Sequence, residues 1–451
     1  MRLPVPRLRW SDPQPDDRQS PVPWRSAALI TATLFLNLSF WQQDHGLDLA
    51  RFGPLPVDAG VLGAAALLVT VLFFIGPAMA AQAARRPVFG LIENSLGSIP
   101  AIGLRLCSVV FLALWMANLV AVPALWALWR EVMRGLSSTE AGIAAAGLLT
   151  FLFLTGLQST RTNARLALFT NKLGVAILVA AFIRVNDGWT AVPSGFPTSG
   201  HEPLVPHLWY GVSHLAFYVA PLGLLASDFG FRAPGRKQVA LAGLTGVALP
   251  LFGALFFTAV IGIATGRSRF YVPSLNPTVA MALWSYAAAS AVGGRMLVAT
   301  VTTFGAMRFG ARALMDSSSI LRPPGRLSWV LPACLIAVIA WLSLHPFAPA
   351  IDIASEIAAT WLAVAGAVLT ADFVIGRQVT RVRGIDWVGV SALLAGMASV
   401  FCLPGKYLWG LDNWSCPWLL PTYGVGFVVC LAGRAVQKAR ASGPAASGSV
   451  A

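Results

Sequence analysis

The chain has 451 residues, of which 57% are hydrophobic and only 11% are charged. Because charged residues make up roughly a quarter of an ordinary soluble domain, this composition excludes a soluble globular protein. The net charge of +14 would indicate a nucleic-acid partner in a soluble protein, so the positions of the basic residues decide its meaning here.

The apolar residues gather into runs of about 20, long enough for a helix to cross a hydrocarbon core of about 30 Å. We therefore predict an all-α integral membrane protein with about 12 transmembrane helices. In chain order, the predicted spans are residues 26–43, 57–81, 100–129, 139–157, 165–184, 207–226, 238–265, 277–307, 328–346, 353–376, 386–403 and 415–434.

The basic residues follow the membrane topology. With the N-terminus inside, twenty-two Lys and Arg residues lie in inner segments and seven in outer ones, which is the positive-inside pattern. We therefore expect a multi-pass protein of the cytoplasmic (inner or plasma) membrane, with the lipid bilayer as its surroundings and no nucleic-acid partner. Residues 1–24 are predicted to be a cytoplasmic tail, and residues 436–451 a disordered cytoplasmic tail.

The first and sixth predicted helices are interrupted. The first is a short apolar run that contains Asn37 and Ser39 and becomes polar at Gln42. The sixth combines Gly and Pro residues with His214 and Tyr218. Transporters often bind solute where two helices in matching positions are broken near the midplane of the membrane. The alternative is that Gly and Pro are simply common in membrane helices.

The two broken helices are five helices apart. This spacing predicts an inverted repeat, with helices 1–5 in residues 25–184 and helices 6–10 in residues 206–376. Two appended helices occupy residues 385–435.

The third helix contains Trp115, which offers a stacking face to a flat solute, although aromatic residues are also ordinary packing residues. In the sixth helix, Tyr218 could stack in the same way. His214 could relay protons, or could be a neutral imidazole whose donor is satisfied by a carbonyl.

The eighth helix contains Ala299, Thr302 and Thr303, which share one helical face. Hydroxyl oxygens on one face can join the carbonyls of a broken neighbouring helix to coordinate Na⁺. The alternative is that these threonines bond to their own helix. Arg308 follows these residues in the sequence. If its side chain faces the cavity, it would neutralise an anionic solute or replace the cation. If it faces the lipid headgroups, it would anchor the helix at the inner leaflet.

The sequence contains neither a phosphate-binding loop nor a Cys/His cluster, so we expect no organic cofactor and no metal beyond a coupling ion. The aspartates at helix ends, Asp228, Asp372 and Asp386, stand singly without a nearby His. A membrane enzyme would need such groups clustered, and we therefore expect no catalytic residues.

Four short motifs occur in order along the chain. Residues 85–90 read Arg-Arg-Pro-Val-Phe-Gly, and a Gly-Ser-Ile-Pro segment follows at 97–100. Ser227–Arg232 reads Ser-Asp-Phe-Gly-Phe-Arg. Residues 370–375 read Thr-Ala-Asp-Phe-Val-Ile, and residues 384–387 read Gly-Ile-Asp-Trp. Together these motifs resemble the nucleobase:cation symporter-1 family of purine, cytosine and hydantoin permeases, part of the superfamily of amino-acid and cation transporters with a leucine-transporter-type fold.

The resemblance implies alternating access, with one bundle of helices rocking against a scaffold and solute and cation held between helices one, three, six and eight. The family's cation-binding alanine, serine and threonine match Ala299, Thr302 and Thr303. Trp115 resembles its stacking tryptophan, and Asn118 lies beside the position of its glutamine. At later positions where the family has asparagines, this chain has Phe304 and Arg308.

These observations predict a secondary active transporter that couples Na⁺ or H⁺ to entry of a small nucleobase-like, hydantoin-like or other nitrogenous solute. Two alternatives stay open: a permease of the amino-acid type, and a membrane sensor derived from a transporter. A membrane-embedded enzyme is disfavoured.

Overall fold

The computed structural model describes residues 21–36, 55–121, 147, 150–151, 160–186, 216, 219–253, 305–306, 308–318, 330–344, 348–376, 384–402 and 419–441. These residues form helices and turns, with no β-strand among them and one isolated β-bridge between Gly97 and Ile385. Every one of the twelve predicted spans contains helical residues in this described part. The all-α prediction is confirmed.

The described helices are numbered here in chain order. They are α1 (Trp24–Phe35), α2 (Leu55–Thr70, a π-helical turn Val71–Ile75, then Gly76–Ala84), α3 (Val88–Leu96), α4 (Ser98–Ala121), α5 (Thr160–Asn186), α6 (219–226, followed by the 3-10 turn Ser227–Arg232), α7 (Arg236–Gly243, a π-helical turn Leu244–Ala248, then 249–253), α8 (305–306 and 308–317), α9 (Val330–Leu344), α10 (Ala348–Val374), α11 (Trp387–Cys402) and α12 (Leu419–Ala441).

Four of these helices contain stretches long and apolar enough to cross a membrane, judged by length and composition. They are Gly63–Ala84, Ser98–Ala117, Ile357–Val374 and Leu419–Arg440, and the apolar segment Trp387–Ser399 is shorter. The protein is a multi-pass membrane protein.

The structure departs most from the predicted helix boundaries in three places, and α5 and α10 each also begin five residues before their predicted spans. Helix α3 forms where a loop was expected, α8 continues past the predicted end at residue 307, and α12 continues to Ala441 through the first residues of the predicted disordered tail. Hydropathy predicts where a helix leaves the hydrocarbon core of the membrane. The helix itself continues until its backbone hydrogen bonds end. Lys438 and Arg440 in the last turn of α12 also favour its extension, because cations stabilise a helix C-terminus.

Helices α1, α2, α6 and α7 pack into one bundle through glycines. A Cβ on Gly246, in the π turn of α7, would overlap Thr31 and Ala28 of α1. A Cβ on Gly223 of α6 would lie 2.9 Å from the carbonyl oxygen of Phe73, in the π turn of α2. Each π turn therefore meets the first helix of the other predicted repeat, which is the arrangement expected of two repeats related by a twofold axis.

The remaining helices form a framework around this bundle. Helix α10 contacts α2, α4, α11 and α12, while α9 lies on α4 and α5 lies on α1. Gly97, between α3 and α4, has φ +97°, and a Cβ there would overlap the carbonyl oxygen of Gly384. Only glycine permits this conformation and this approach, which brings the start of α11 against the α3–α4 turn.

Candidate functional site

The end of α1 is fixed to α5 by a buried polar contact. The Thr33 hydroxyl lies 3.0 Å from Oδ1 of Asn171 and 2.9 Å from the carbonyl oxygen of Leu29. The Asn171 amide nitrogen donates to the same Leu29 carbonyl at 2.8 Å. Both polar side chains are buried, Thr33 at 1% exposure and Asn171 at 6%. A buried polar group is costly unless it is hydrogen-bonded, so this cluster joins α1 to α5 in this conformation.

Helix α8 reaches the same cluster through Gly305. A Cβ on Gly305 would overlap Cγ2 of Thr33, so α8 can contact α1 here only because residue 305 has no side chain. Gly305 comes two residues after Thr303 in the sequence. Helices α1, α5 and α8 therefore meet at Gly305, just after the predicted cation-binding residues in the sequence.

Several predicted site residues lie outside the described part of the chain. Leu36, the C-cap of α1, is the last described residue before a gap, and its amide donates to the Ala32 carbonyl at 2.8 Å. The predicted site residues that lie outside the described ranges are Asn37, Ser39, Gln42, His214, Tyr218, Ala299, Thr302 and Thr303. Their roles stay predictions.

Trp115 lies in α4 with only 5% of its surface exposed, and its indole packs against α8. A Cβ on Gly310 would lie 2.9 Å from Cζ3 of the Trp115 ring and 3.1 Å from the side chain of Met116. The indole is therefore part of the contact between α4 and α8, while stacking on a solute stays a prediction. Asn118 lies three residues further along α4.

Arg308 lies on the same face of α8 as Gly305, one turn further along. Its side chain is half-buried, and Nη2 donates a hydrogen bond to Oδ1 of Asn163 in α5. The guanidinium is therefore held between two helices, next to the meeting point of α1, α5 and α8.

Asp228 follows α6 in the 3-10 turn and joins this turn to α3. Its Oδ1 accepts a hydrogen bond from the Val88 amide at 2.8 Å, at the first residue of α3. Burial raises the pKa of this carboxyl to about 6; the neighbouring Asp316 raises the pKa further, and Arg312 and Arg232 lower it. Asp228 therefore connects the bundle to α3 near the end of α8.

A buried cluster around Arg434 was not predicted from the sequence. Arg434 of α12 donates from Nε to Asp372 of α10 at 2.8 Å, and from Nη1 to both oxygens of Asp386 at 2.9 and 3.0 Å. Its Nη2 donates to the carbonyl oxygen of Ser95, near the end of α3, at 3.1 Å. Asp386 also accepts hydrogen bonds from the amides of Val388 and Gly389 at the start of α11.

This cluster unites the ends of α3 and α10, the start of α11 and the middle of α12. The available sequence signal was the presence of two aspartates at the ends of apolar helices, because buried carboxylates need a cationic partner. Arg434 itself looked like one more inner basic residue of the topology. What joins the three is spatial proximity across segments far apart in the sequence.

Solved structures share the architecture of this chain. Mhp1, a nucleobase-cation-symport-1 family transporter in a closed conformation with bromovinylhydantoin bound, aligns with a TM-score of 0.62 and 16% identity over 97% of this chain and 96% of that one. The inward-facing conformation of Mhp1 aligns with a TM-score of 0.58 and 14% identity over 95% of each chain. A substrate-bound, outward-open Na⁺-coupled sialic acid symporter aligns with a TM-score of 0.53 and 12% identity over 95% of this chain and 93% of that one.

No family model matches the chain, and no curated protein matches it by sequence. The chain nevertheless has the fold of these transporters over nearly its whole length. The predicted leucine-transporter-type architecture is confirmed.

Proposed function

We propose that the protein is a secondary active transporter, a cation-coupled symporter that moves a small organic solute by alternating access. The observation that carries this proposal is the contact of Gly305 with Thr33, where α1, α5 and α8 meet. In a protein with this fold, the contact joins α1 to Gly305, which follows the candidate hydroxyls of Thr302 and Thr303 in the sequence. We propose no enzymatic activity, because the solved structures of this fold are transporters.

We propose Na⁺ as the coupling ion, bound by the carbonyl of Ala299, the hydroxyls of Thr302 and Thr303, and carbonyls beyond the end of α1. Na⁺ is a hard cation that prefers such neutral oxygen ligands at the broken helices of transporters. Coupling to H⁺ through His214 is the alternative. The solved Na⁺-coupled sialic acid symporter of the same fold supports Na⁺.

For the solute we propose a small, planar nitrogenous compound of the hydantoin or nucleobase type. Trp115 and Tyr218 would provide stacking faces, and Asn118 and His214 would provide edge contacts. From the broken first helix, the side chains of Asn37, Ser39 and Gln42 would contribute further donors and acceptors. The support is the bromovinylhydantoin bound to Mhp1, a structure of the same fold.

An anionic solute is the second candidate, favoured by one observation. Arg308 is half-buried between α5 and α8, one turn from Gly305, where a fixed positive charge would attract a carboxylate. The sialic acid symporter is a protein of this fold that handles an acid.

The test is uptake by purified protein in proteoliposomes. Labelled uracil, cytosine, hypoxanthine, allantoin, a hydantoin and sialic acid are each offered with an inward Na⁺ gradient, with a pH gradient, and with neither. Accumulation that requires the Na⁺ gradient is expected for at least one neutral heterocycle. Binding without accumulation would instead identify a sensor, and accumulation of sialic acid alone would identify the anionic class.

We further propose that both termini face the cytoplasm and that residues 25–184 and 206–376 form the two repeats. The paired π turns support the repeats. Labelling of single cysteines at the two termini in intact cells tests the orientation.

A further inference from the structure

The π turn of α2 makes a contact outside the bundle. The Tyr423 hydroxyl of α12 donates to the carbonyl oxygen of Leu72, inside this turn, at 3.0 Å. A π turn is wider than an α-helical turn and interrupts the regular ladder of backbone bonds, so a side chain can reach a carbonyl there. Tyr423 is 4% exposed, and its ring lies edge-on to that of Phe73, with centroids 5.0 Å apart.

The same hydroxyl also reaches α10. It lies 3.2 Å from Oγ1 of Thr370, which in turn donates to the carbonyl of Gly366 at 2.8 Å. Directly beside this contact, a Cβ on Gly76 of α2 would lie 2.7 Å from Oγ1 of Thr370. One tyrosine hydroxyl therefore stands where α2, α10 and α12 meet, and α2 approaches α10 there without space for a methyl group.

Arg434 fixes the helix that presents this tyrosine. It lies eleven residues after Tyr423, so both side chains project from nearly the same face of α12. Arg434 bonds to α3, α10, the residue before α11, and α12, all in the framework, whereas Leu72 belongs to the bundle. Helix α12 is thus anchored in the framework by several charged bonds, and its Tyr423 contacts the bundle through its hydroxyl on Leu72 and its ring on Phe73.

We propose that Tyr423 is a positioning residue for transport, which holds the π turn of α2 against α10 as the pivot on which the bundle turns relative to the framework. This inference rests on the proposed transport function. A body that rocks needs one place where it stays in contact with its support. One hydroxyl on one carbonyl permits a change of angle without separation, because a hydrogen bond tolerates tens of degrees. The hydrogen bonds and ion pairs of Arg434 hold α12 rigidly in the framework.

The test compares Tyr423→Phe with Thr422→Val. The first variant keeps the ring on Phe73 and removes only the hydroxyl. The second changes the neighbouring buried residue, whose hydroxyl donates to the Leu419 carbonyl of its own helix. Spin labels on cysteines at the exposed positions Lys237 of α7 and Ile99 of α4 report the distance between bundle and framework.

Tyr423→Phe is expected to shift or broaden the distribution of label distances. It should also lower the maximal uptake rate about fivefold, the factor that corresponds to the free energy of one hydrogen bond. The solute concentration for half-maximal uptake should stay within about twofold of the unsubstituted value. Thr422→Val should match the unsubstituted protein in each measurement.

An unchanged distance distribution in Tyr423→Phe would overturn the proposal, and so would a change confined to the half-maximal concentration, since that effect belongs to solute binding. If Tyr423→Phe does not fold, Thr370→Val removes the second hydroxyl of the contact and must produce the same shift. Absence of uptake by the unsubstituted protein would count against the transport function alone, because the label distances are measured without transport.

Discussion

Arg434 and Asp386 form a buried ion pair, in which Nη1 of the arginine lies 2.9 and 3.0 Å from the two carboxylate oxygens. The pair lies at the start of α11, where Asp386 also accepts hydrogen bonds from backbone amides of the first helical turn. A single arginine of α12 therefore completes the N-terminal cap of its neighbour. The appended helices are held to the rest of the protein by charge as well as by apolar packing.

We expect Arg434→Gln to lower the free energy of unfolding by about 3 kcal/mol, because removal of one partner leaves buried charges uncompensated. The measurement is thermal or denaturant unfolding of the detergent-solubilised protein. Arg440→Gln is the matched control, since Arg440 is exposed in the same helix and should change stability by less than about 0.5 kcal/mol. Equal effects of the two changes would contradict the role assigned to Arg434.

We expect Gly305→Ala to destabilise the protein by about 1–3 kcal/mol, because the new methyl group overlaps Cγ2 of Thr33. Gly253→Ala is the control, since a Cβ there has nothing within 4 Å. The double change Thr33→Ala with Gly305→Ala should recover part of the loss, because the overlapping atom is gone. Additive losses in this double-mutant cycle would show that the two residues are not in contact.

We expect Thr302→Ala and Thr303→Ala to raise the Na⁺ concentration for half-maximal solute binding about tenfold while leaving expression intact, because each removes one proposed oxygen ligand. Thr300→Ala is the control, since residue 300 does not share the face of residues 299, 302 and 303. Unchanged Na⁺ dependence in both variants would exclude this cation site.

We expect Arg308→Gln to abolish uptake of a carboxylate solute and to leave uptake of a neutral heterocycle within about threefold, because glutamine loses the charge but can still donate to Asn163. Arg86→Gln, at an exposed position, is the control for a general effect of charge. Equal loss for neutral and anionic solutes would assign Arg308 to helix packing alone.

We expect the protein to lose stability as the pH rises from about 4 to about 6, through Asp228. Its pKa is raised by burial to about 6, so the folded protein binds this proton more tightly than the unfolded chain does. The stabilisation is therefore complete below about pH 4 and is lost as the pH passes about 6.

Asp228→Asn should remove this part of the pH dependence, since asparagine does not titrate and its carbonyl can still accept the Val88 amide. Melting temperatures between pH 4 and 8 test the expectation. A variant with the same pH slope as the unsubstituted protein would refute it.

The sequence by itself determined the membrane class and the all-α fold. Each apolar run reports a local free energy of transfer into the bilayer, and every predicted span contains described helical residues. Asp228, Asp372 and Asp386 were predicted only as single carboxylates at helix ends, and the structure gives each of them a partner from another segment.

Only the tertiary structure decided which residues meet. Thr33 and Asn171 are 138 residues apart, and Tyr423 and Leu72 are 351 apart. Hydropathy could not find these pairs, nor the glycines at helix contacts, the π turns, α3 or the role of Arg434. Each depends on the close approach of two distant segments, and lipid tails are as apolar as the side chains of a membrane helix, so local hydrophobicity carries no information about which helix faces which.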